Sequence, residues 1–204
     1  MTSPSDDIIG LYERNAASWD ADRRRARPQG EADWIRRFMR LAEPESQLLD
    51  LGCGAGEPIV PDLLAGGYSV TGIDSSPSLI ALCKQRFPDQ NWLAADMRQL
   101  DLECRFGGLL AWHSLFHLTP PDQQKMFPVF ARLAAPGAPL MFTSGDRRNV
   151  SVGNWRGEAL YHASLDAGEY EVLLRDNGFG LVEHMVDDAR CGGATVWLAQ
   201  KLPA

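Results

Sequence analysis

Residues 48–56 read Leu-Leu-Asp-Leu-Gly-Cys-Gly-Ala-Gly. Gly52, Gly54 and Gly56, with Cys53 between the first two, let the chain turn sharply and leave no side chain above the turn. A flat or polar group can then lie directly on the main chain. The spacing is GxGxG, whereas GxGxxG suits a pyrophosphate at a helix N-terminus. Asp50 stands two residues before the first glycine, and a carboxylate there repels a pyrophosphate and attracts a cation. Farther along, Asp74 can accept from both hydroxyls of a ribose. Asp96 can accept from an aromatic amino group while Met97 packs on the ring that carries it. Imidazoles at His113, His117 and His162 can move protons near neutral pH. His113 and His117 are four apart and share one face if their segment is helical.

These groups need a frame. Apolar residues three to four apart predict helices over 6–20 (Ile8, Leu11, Tyr12) and 30–42 (Trp34, Phe38, Leu41), the second ended by Pro44. From there strands at 48–51, 69–73, 92–94, 109–112 and 139–143 alternate with helices at 58–65, 76–86 and 122–133. A helix at 167–177 precedes two strands, 181–186 and 195–200, expected as a hairpin. Strands alternating with helices mean a mostly parallel sheet covered on both faces. In such sheets ligands lie beyond the carboxyl ends of the strands. Polar residues cluster at those ends: Asp50 and the glycines, Asp74-Ser75, Asp96-Met97, His113-Ser114, and Ser144-Gly145-Asp146. Ser75 or Ser76 suits the N-cap of the helix that begins at Pro77. The first 45 residues read as a helical lid or cap over a core at 46–204, in one domain. The stretch 147–163 reads as an irregular loop.

The glycine motif and its upstream acid resemble motif I of the class I S-adenosylmethionine (SAM) methyltransferases, whose ligand carries an amino group and a sulfonium. The segment Gly108-Leu-Leu-Ala-Trp-His-Ser-Leu-Phe-His-Leu118 resembles the fourth-strand motif of their small stand-alone bacterial members. Tyr161-His-Ala-Ser-Leu, Asn177-Gly-Phe179 and Cys191-Gly-Gly with Trp197 are similar to that group too. The resemblance implies a Rossmann-like, doubly wound, seven-stranded α/β sheet with a C-terminal antiparallel hairpin. It also implies that Ala111 and Trp112 line the methionine and adenine side of the pocket, with Leu79 near the ribose. Tyr12 and Ala16-x-x-Trp19-Asp20-x-x-Arg23 resemble the group's cap helix, where an aromatic covers SAM and an arginine meets its carboxylate. Arg23 suits that role through a bidentate pair. Many relatives carry an acid where this chain has Phe106-Gly107. That position lies at the far end of its strand, so a structural consequence at most is expected.

Methyl transfer needs a base only if the nucleophile must lose a proton. His113, His117 and His162 are the catalytic candidates. For His117 a bond to the loop backbone is the competing role, and His184, inside a strand, is expected to be structural. Substrate contacts are expected from Trp155, Tyr161 and His162, and Arg147-Arg148 either meets an acidic substrate or forms a solvated turn. The histidine spacing does not support a metal site.

Composition narrows the class. The chain has 204 residues, 45% hydrophobic and 23% charged, with a net charge of −7. An acidic chain is a poor match for nucleic acid or an anionic membrane. The Asp/Asn-Pro-Pro-aromatic pattern that would suit transfer to a base nitrogen is absent; Ala-Trp-His-Ser stands there. The basic run Arg23-Arg24-Arg25-Ala26-Arg27 is flanked by acids and reads mostly as a solvated helix end. Cys53, Cys83, Cys104 and Cys191 lie far apart with no CxxC spacing, against a zinc site or disulfide framework, and a reducing cytoplasm is expected. Met-Thr-Ser-Pro-Ser-Asp-Asp lacks the order of a signal peptide, and the uncharged stretch 106–121 contains two His, two Gly and two Pro, unlike a membrane span. The expectation is a SAM-dependent methyltransferase acting on a small molecule, as a monomer or homodimer. The alternatives are a SAM-binding protein without turnover and a nicotinamide-dependent oxidoreductase.

Overall fold

The computed structural model describes residues 5–26 and 28–203. Residues 1–4, at the start of the segment compared with a signal peptide, and Arg27, last of the basic run, lie outside the described residues. The elements run α1 (Ile8–Arg14), α2 (Ala16–Arg25), α3 (Gln29–Leu41), β1 (Gln47–Leu51), α4 (Ile59–Ala65), β2 (Ser69–Asp74), α5 (Pro77–Arg86), β3 (Asn91–Ala94), β4 (Gly108–Ala111), α6 (Pro120–Leu133), β5 (Pro139–Ser144), β6 (Asn149–Trp155), β7 (Glu158–Ser164), α7 (Ala167–Asp176), β8 (Phe179–Asp188) and β9 (Ala194–Lys201). Among the described residues a seven-stranded sheet has the order β3-β2-β1-β4-β5-β9-β8. Strands β3 to β5 are mutually parallel, and β9 runs antiparallel to both β5 and β8. The chain winds outward from β1 in both directions, which opens a crevice beyond the ends of β1 and β4. This is the doubly wound sheet with a terminal hairpin that the sequence predicts.

The central strands form because their apolar runs are buried on both faces, as in Leu48 to Leu51 and throughout β4 and β5. One face is covered by α6 and α7 around Phe127, Phe130, Tyr170 and Trp197. The other is covered by α3, α4 and α5 around Trp34, Phe38, Val60 and Ile80. Helix α3 therefore belongs to the sheet's own layer rather than to a cap. Its Trp34 indole N–H donates to Asp188 at 2.9 Å. Ser76 caps α5 by accepting from the Leu79 N–H at 3.2 Å, and Thr119 starts α6 at two prolines whose missing N–H groups cost nothing there. At the far end of β4, Phe106 is buried and bridges to Ala134.

Two expectations are corrected. The helix over 6–20 is two helices, broken at Asn15 (φ −111°, ψ 13°), whose side-chain amide bonds both Leu11 O at 3.0 Å and Glu158 at 2.6 Å. The stretch 147–163 is not irregular. It holds the antiparallel hairpin β6–β7, turned at Arg156 (φ 56°) and Gly157 (φ 85°), both left-handed as a two-residue hairpin turn requires. Its strand β6 is exposed except for a half-buried Trp155, so no apolar face announced it.

Helices α1 and α2 and this hairpin form a collar above the crevice. Arg14 pairs with Glu158 at 2.5 Å and Arg156 with Asp22 at 2.9 Å. Tyr12 stacks on Trp155 at 6.3 Å. Glu13 bonds the hydroxyls of Ser76 and Ser78 at the start of α5. Among the described residues no helix is long and apolar enough to cross a membrane.

Candidate functional site

Three cavities meet beyond the carboxyl ends of the parallel strands. The first, about 810 Å³ with solvent at its mouth included, runs from the glycine turn across the ends of β2 and β3 under α1. Gly52, Gly54, Asp74, Ser75, Leu79, Asp96, Met97, Tyr12, Trp19, His113 and His117 all border it. The second, about 360 Å³, lies on the other side of the glycine turn and is bordered by Asp50, Cys53, Gly56, Trp19, Arg23 and Trp112. The third, about 680 Å³, lies between the end of β5, the hairpin and the β8–β9 turn, and His162 borders it.

The turn is held from below. Gly52 and Cys53 donate their N–H groups to Ile73 O at 2.7 and 3.0 Å, which ties the loop to β2. Gly54 donates to Asp74 at 2.9 Å, and Ser76 N–H donates to the other oxygen of the same carboxylate at 2.9 Å. Burial raises the Asp74 pKa against those two bonds. The Trp19 ring lies directly on Gly54, where a side chain would collide with it. Trp19 thus stands between the first two cavities.

Asp50 is 2% exposed, and among the described residues no donor bonds its carboxylate. Burial, with the Asp74 and Glu31 carboxylates nearby, pushes it up to about 7 despite Arg23. Glu31 is wholly buried; one oxygen takes the Arg23 guanidinium and the Trp112 indole N–H (2.7 Å), and the other has no partner among the described residues. Two buried carboxylates thus share one arginine. This corner is built for a further cation, since uncompensated buried charge is costly.

At the opposite end, burial works to raise Asp96, but the bidentate Arg98 guanidinium and the Arg98 N–H hold it below the usual carboxylate range. Arg98 borders the first cavity, and sequence reasoning missed it, as it missed Glu31. Arg98 sits two residues from Asp96, a spacing that suits a local pair. Glu31 carries no local signal, because its partners lie 8 and 81 residues away.

The histidines differ in what they can do. His117 Nδ1 lies 2.9 Å from Tyr161 O, which only accepts, so Nδ1 carries the proton. Nε2 then accepts from the Tyr12 hydroxyl at 2.8 Å. Burial pushes His117 down to about 3, and with both nitrogens engaged it is a strut rather than a base. Burial, aided by Arg23, also pushes His113 down to about 4, but among the described residues no hydrogen bond engages its ring. His162 is lowered by burial, and its ring too makes no hydrogen bond among the described residues. His184 stacks on Trp197 at 3.6 Å, as a structural residue does.

Three expected site residues line none of these three cavities. Ala111 is fully buried in the core beneath α6. Trp112, just past the end of β4, borders the second cavity. Tyr161 is 7% exposed and packs against Ile8. Trp155 is on the hairpin against Tyr12. Arg148 pairs with Glu169, and Arg147 with Asp146 at 3.3 Å. Among the described residues no cluster of three His, Cys, Asp or Glu could hold a metal ion.

The collar depends on a buried ion pair. Arg86 of α5 grips both oxygens of Asp20 of α2 at 2.6 Å, and Asp20 is 7% exposed. Arg86→Met strands that carboxylate, at a cost of roughly 3 kcal/mol, or about 6–10 °C in Tm for a chain of this length. Calorimetric melting checks this. Adding Asp20→Leu should recover most of the loss, and a single-variant Tm within 2 °C of wild type would discard the idea.

A methyltransferase-domain family matches residues 48–137. Among curated proteins, an O-methyltransferase of Pyrenophora dematioidea is 27% identical over 152 residues, covering 69% of this chain and 56% of that protein. A trans-aconitate 2-methyltransferase of Escherichia coli O1:K1 / APEC is 36% identical over 92 residues, 44% of this chain and 35% of the relative. The chain spans about a third to a half of these curated relatives. Among solved structures, the magnesium protoporphyrin IX methyltransferase of Synechocystis PCC 6803 with bound SAM superimposes with a TM-score of 0.72. It is 17% identical and covers 98% of both chains, a likeness of fold.

Proposed function

We propose, from the match of residues 48–137 to a methyltransferase-domain family, that the chain transfers a methyl group from SAM to a small-molecule acceptor. The observation that carries this reading is Asp50, a buried carboxylate without a donor among the described residues, beside a half-satisfied Glu31 and bare glycine backbone. A cationic, adenosine-bearing ligand suits that combination. Asp50 receives the amino group, and Arg23 the carboxylate, in the smaller cavity. Asp74 takes the ribose hydroxyls while it pins the glycine turn. Asp96 and Met97 hold the adenine, and Leu79 packs below the ribose. Trp19 and Tyr12 close over the ligand, and Trp19 swings off Gly54 to let one molecule span both cavities. When bound, SAM supplies a methyl group already activated by its sulfonium, so the protein contributes alignment and exclusion of water.

The net charge of −7 and the small size of the cavities favour a small acceptor over nucleic acid. The four cysteines, all free thiols, suit a reducing cytoplasm.

Calorimetric titration with SAM and with S-adenosylhomocysteine tests the reading. Wild type should bind both at micromolar concentrations. Asp74→Ala should bind on the order of 100-fold more weakly, as expected for two lost charge-assisted hydrogen bonds. A folded wild type that binds neither ligand sinks the proposal.

A further inference from the structure

We propose that the cavity between β5, the hairpin and the β8–β9 turn is the acceptor site. Its substrate is an uncharged ring compound bearing an ionisable hydroxyl, and His113 takes the hydroxyl's proton. This rests on the methyl-transfer reading above.

The cavity, about 280 Å³ without the solvent at its mouth, is large enough for a small ring compound. His113 is the one residue it shares with either of the other two cavities, and His113 borders both of those. Whatever fills this space therefore meets the methyl donor beside His113. One wall is made of rings. Phe116 lies between His113 (5.9 Å) and His162 (5.1 Å), a surface suited to a flat partner. Ser151 and Asn149 stand on the hairpin face that carries His162, Ser151 directly across from it, and their side chains make no hydrogen bond among the described residues; Gly145, Gly192 and Gly193 add bare backbone to the lining.

Charge decides the class. Asp146 and Arg147 are the charged residues on this lining, and they neutralise each other at 3.3 Å. Burial keeps both histidines neutral. An acceptor carboxylate would find no unpaired cation here, and desolvating one without a partner is costly. A neutral hydroxyl meets no such penalty but must lose its proton to attack, so the site needs a base.

His113 has the required placement. It is a non-glycine residue at φ 52°, a strained conformation that persists only where its surroundings impose it. Here its N–H donates to Thr143 Oγ1 at 2.9 Å, and its ring packs between Trp112 and Phe116. His117 is disqualified by its two hydrogen bonds. In the step, the acceptor oxygen bonds the methyl carbon while its O–H proton passes to a ring nitrogen of His113. The carbon–sulfur bond breaks with its electron pair left on sulfur. The imidazolium then loses its proton to solvent.

The test uses catechol and 8-hydroxyquinoline as ring hydroxyl probes, against trans-aconitate and benzoate as carboxylates. Each is added to protein loaded with S-adenosylhomocysteine, with binding read by saturation-transfer NMR and methylation by product formation from SAM. The hydroxyl probes should bind and be methylated on oxygen, and the carboxylates should do neither. Ser151→Trp fills the cavity from an exposed strand and should abolish probe binding while S-adenosylhomocysteine still binds. His113→Asn, which tolerates the backbone conformation, should bind probes within about threefold of wild type and methylate them roughly 100-fold more slowly. Methylation of the carboxylates alone, no binding of any probe, undiminished probe binding in Ser151→Trp, or full activity in His113→Asn overturns the assignment. Failure of the methyl-transfer reading shows separately, as wild type that does not bind S-adenosylhomocysteine.

Discussion

Gly52→Val will leave no measurable SAM binding. Gly52 adopts φ 78° and borders both cofactor cavities. A side chain on it would run into the Cβ of Ser114 and come within 2.9 Å of its hydroxyl. Ser114 cannot yield easily, because that hydroxyl donates to Leu51 O at 2.6 Å and so ties the end of β4 to β1. The valine is also β-branched at a positive φ, which costs roughly 1–3 kcal/mol by itself. The turn must therefore shift or lose its bond to Ile73 O. The expected result is an affinity loss beyond 100-fold by calorimetry, with a lower Tm. Gly67→Ala is the matched control. Gly67 has φ 85° but nothing within 4 Å of its missing side chain. It should lose about 1 kcal/mol of stability and keep its SAM affinity. A folded Gly52→Val protein that binds within tenfold of wild type would show that the turn is not the ligand's seat.

The second large effect is a pH dependence of SAM binding. Asp50 sits at about 7 because of burial first, then the Asp74 and Glu31 carboxylates, with Arg23 opposing them. A cationic ligand pairs with the ionised carboxylate, so binding expels the proton that Asp50 holds below pH 7. Affinity should be flat above that value and fall about tenfold per pH unit below it, or roughly 30-fold between pH 7.5 and 5.5. Asp50→Asn should bind weakly with a flat profile. The unliganded protein shows the linked effect. An acid whose folded pKa is raised from 3.8 to about 7 contributes stability below pH 3.8 that is lost as pH rises through 7. The loss is on the order of 4 kcal/mol at pH 8. Unliganded Asp50→Asn should therefore be the more stable protein at pH 8, with the difference shrinking towards pH 5. Calorimetry over pH 5.5–8.5 with both proteins decides it, and equal slopes would remove Asp50 from the site.

Much of this site can be read from the chain, because its residues sit where strand periodicity ends. Apolar runs such as Leu48–Leu49 and Leu140–Phe142 announce buried strands, and the next polar residue marks a carboxyl end. Asp50, Asp74, Asp96 and His113 follow from that rule. What escapes it is long-range pairing. Nothing near Asp20 says that it meets Arg86, and nothing near Glu31 says that it shares Arg23 with Trp112. The hairpin escaped because its first strand has no buried face, so period two never became hydrophobic period two. The break at Asn15 escaped because the apolar spacing of Ile8, Leu11 and Tyr12 does not report where a helix stops. Ala111 lies in the core cluster with α6 while Trp112 borders a cavity, a difference between neighbours that their shared apolar character does not report.

The fixed tautomer of His117 has one more consequence. Because Nδ1–H is committed to Tyr161 O, Nε2 must receive, and the Tyr12 hydroxyl spends its only proton there. Tyr12 therefore turns lone pairs alone towards the larger cleft, alongside the oxygens of Asp74 and Asp96. This surface answers to ligands that bring hydrogens, such as vicinal hydroxyls and an aromatic amine. To a phosphate beside Tyr12 and Asp74 it offers oxygen facing oxygen, and the Arg98 guanidinium on the same lining is taken by Asp96. The cleft thus filters the nucleotide pool by the direction of its hydrogen bonds. In the binding mode proposed above, adenosine-type ligands match this surface, 2′-deoxy ones lose a contact, and 2′- or 3′-phosphates fit it poorly, an orientation set by a histidine that touches none of them.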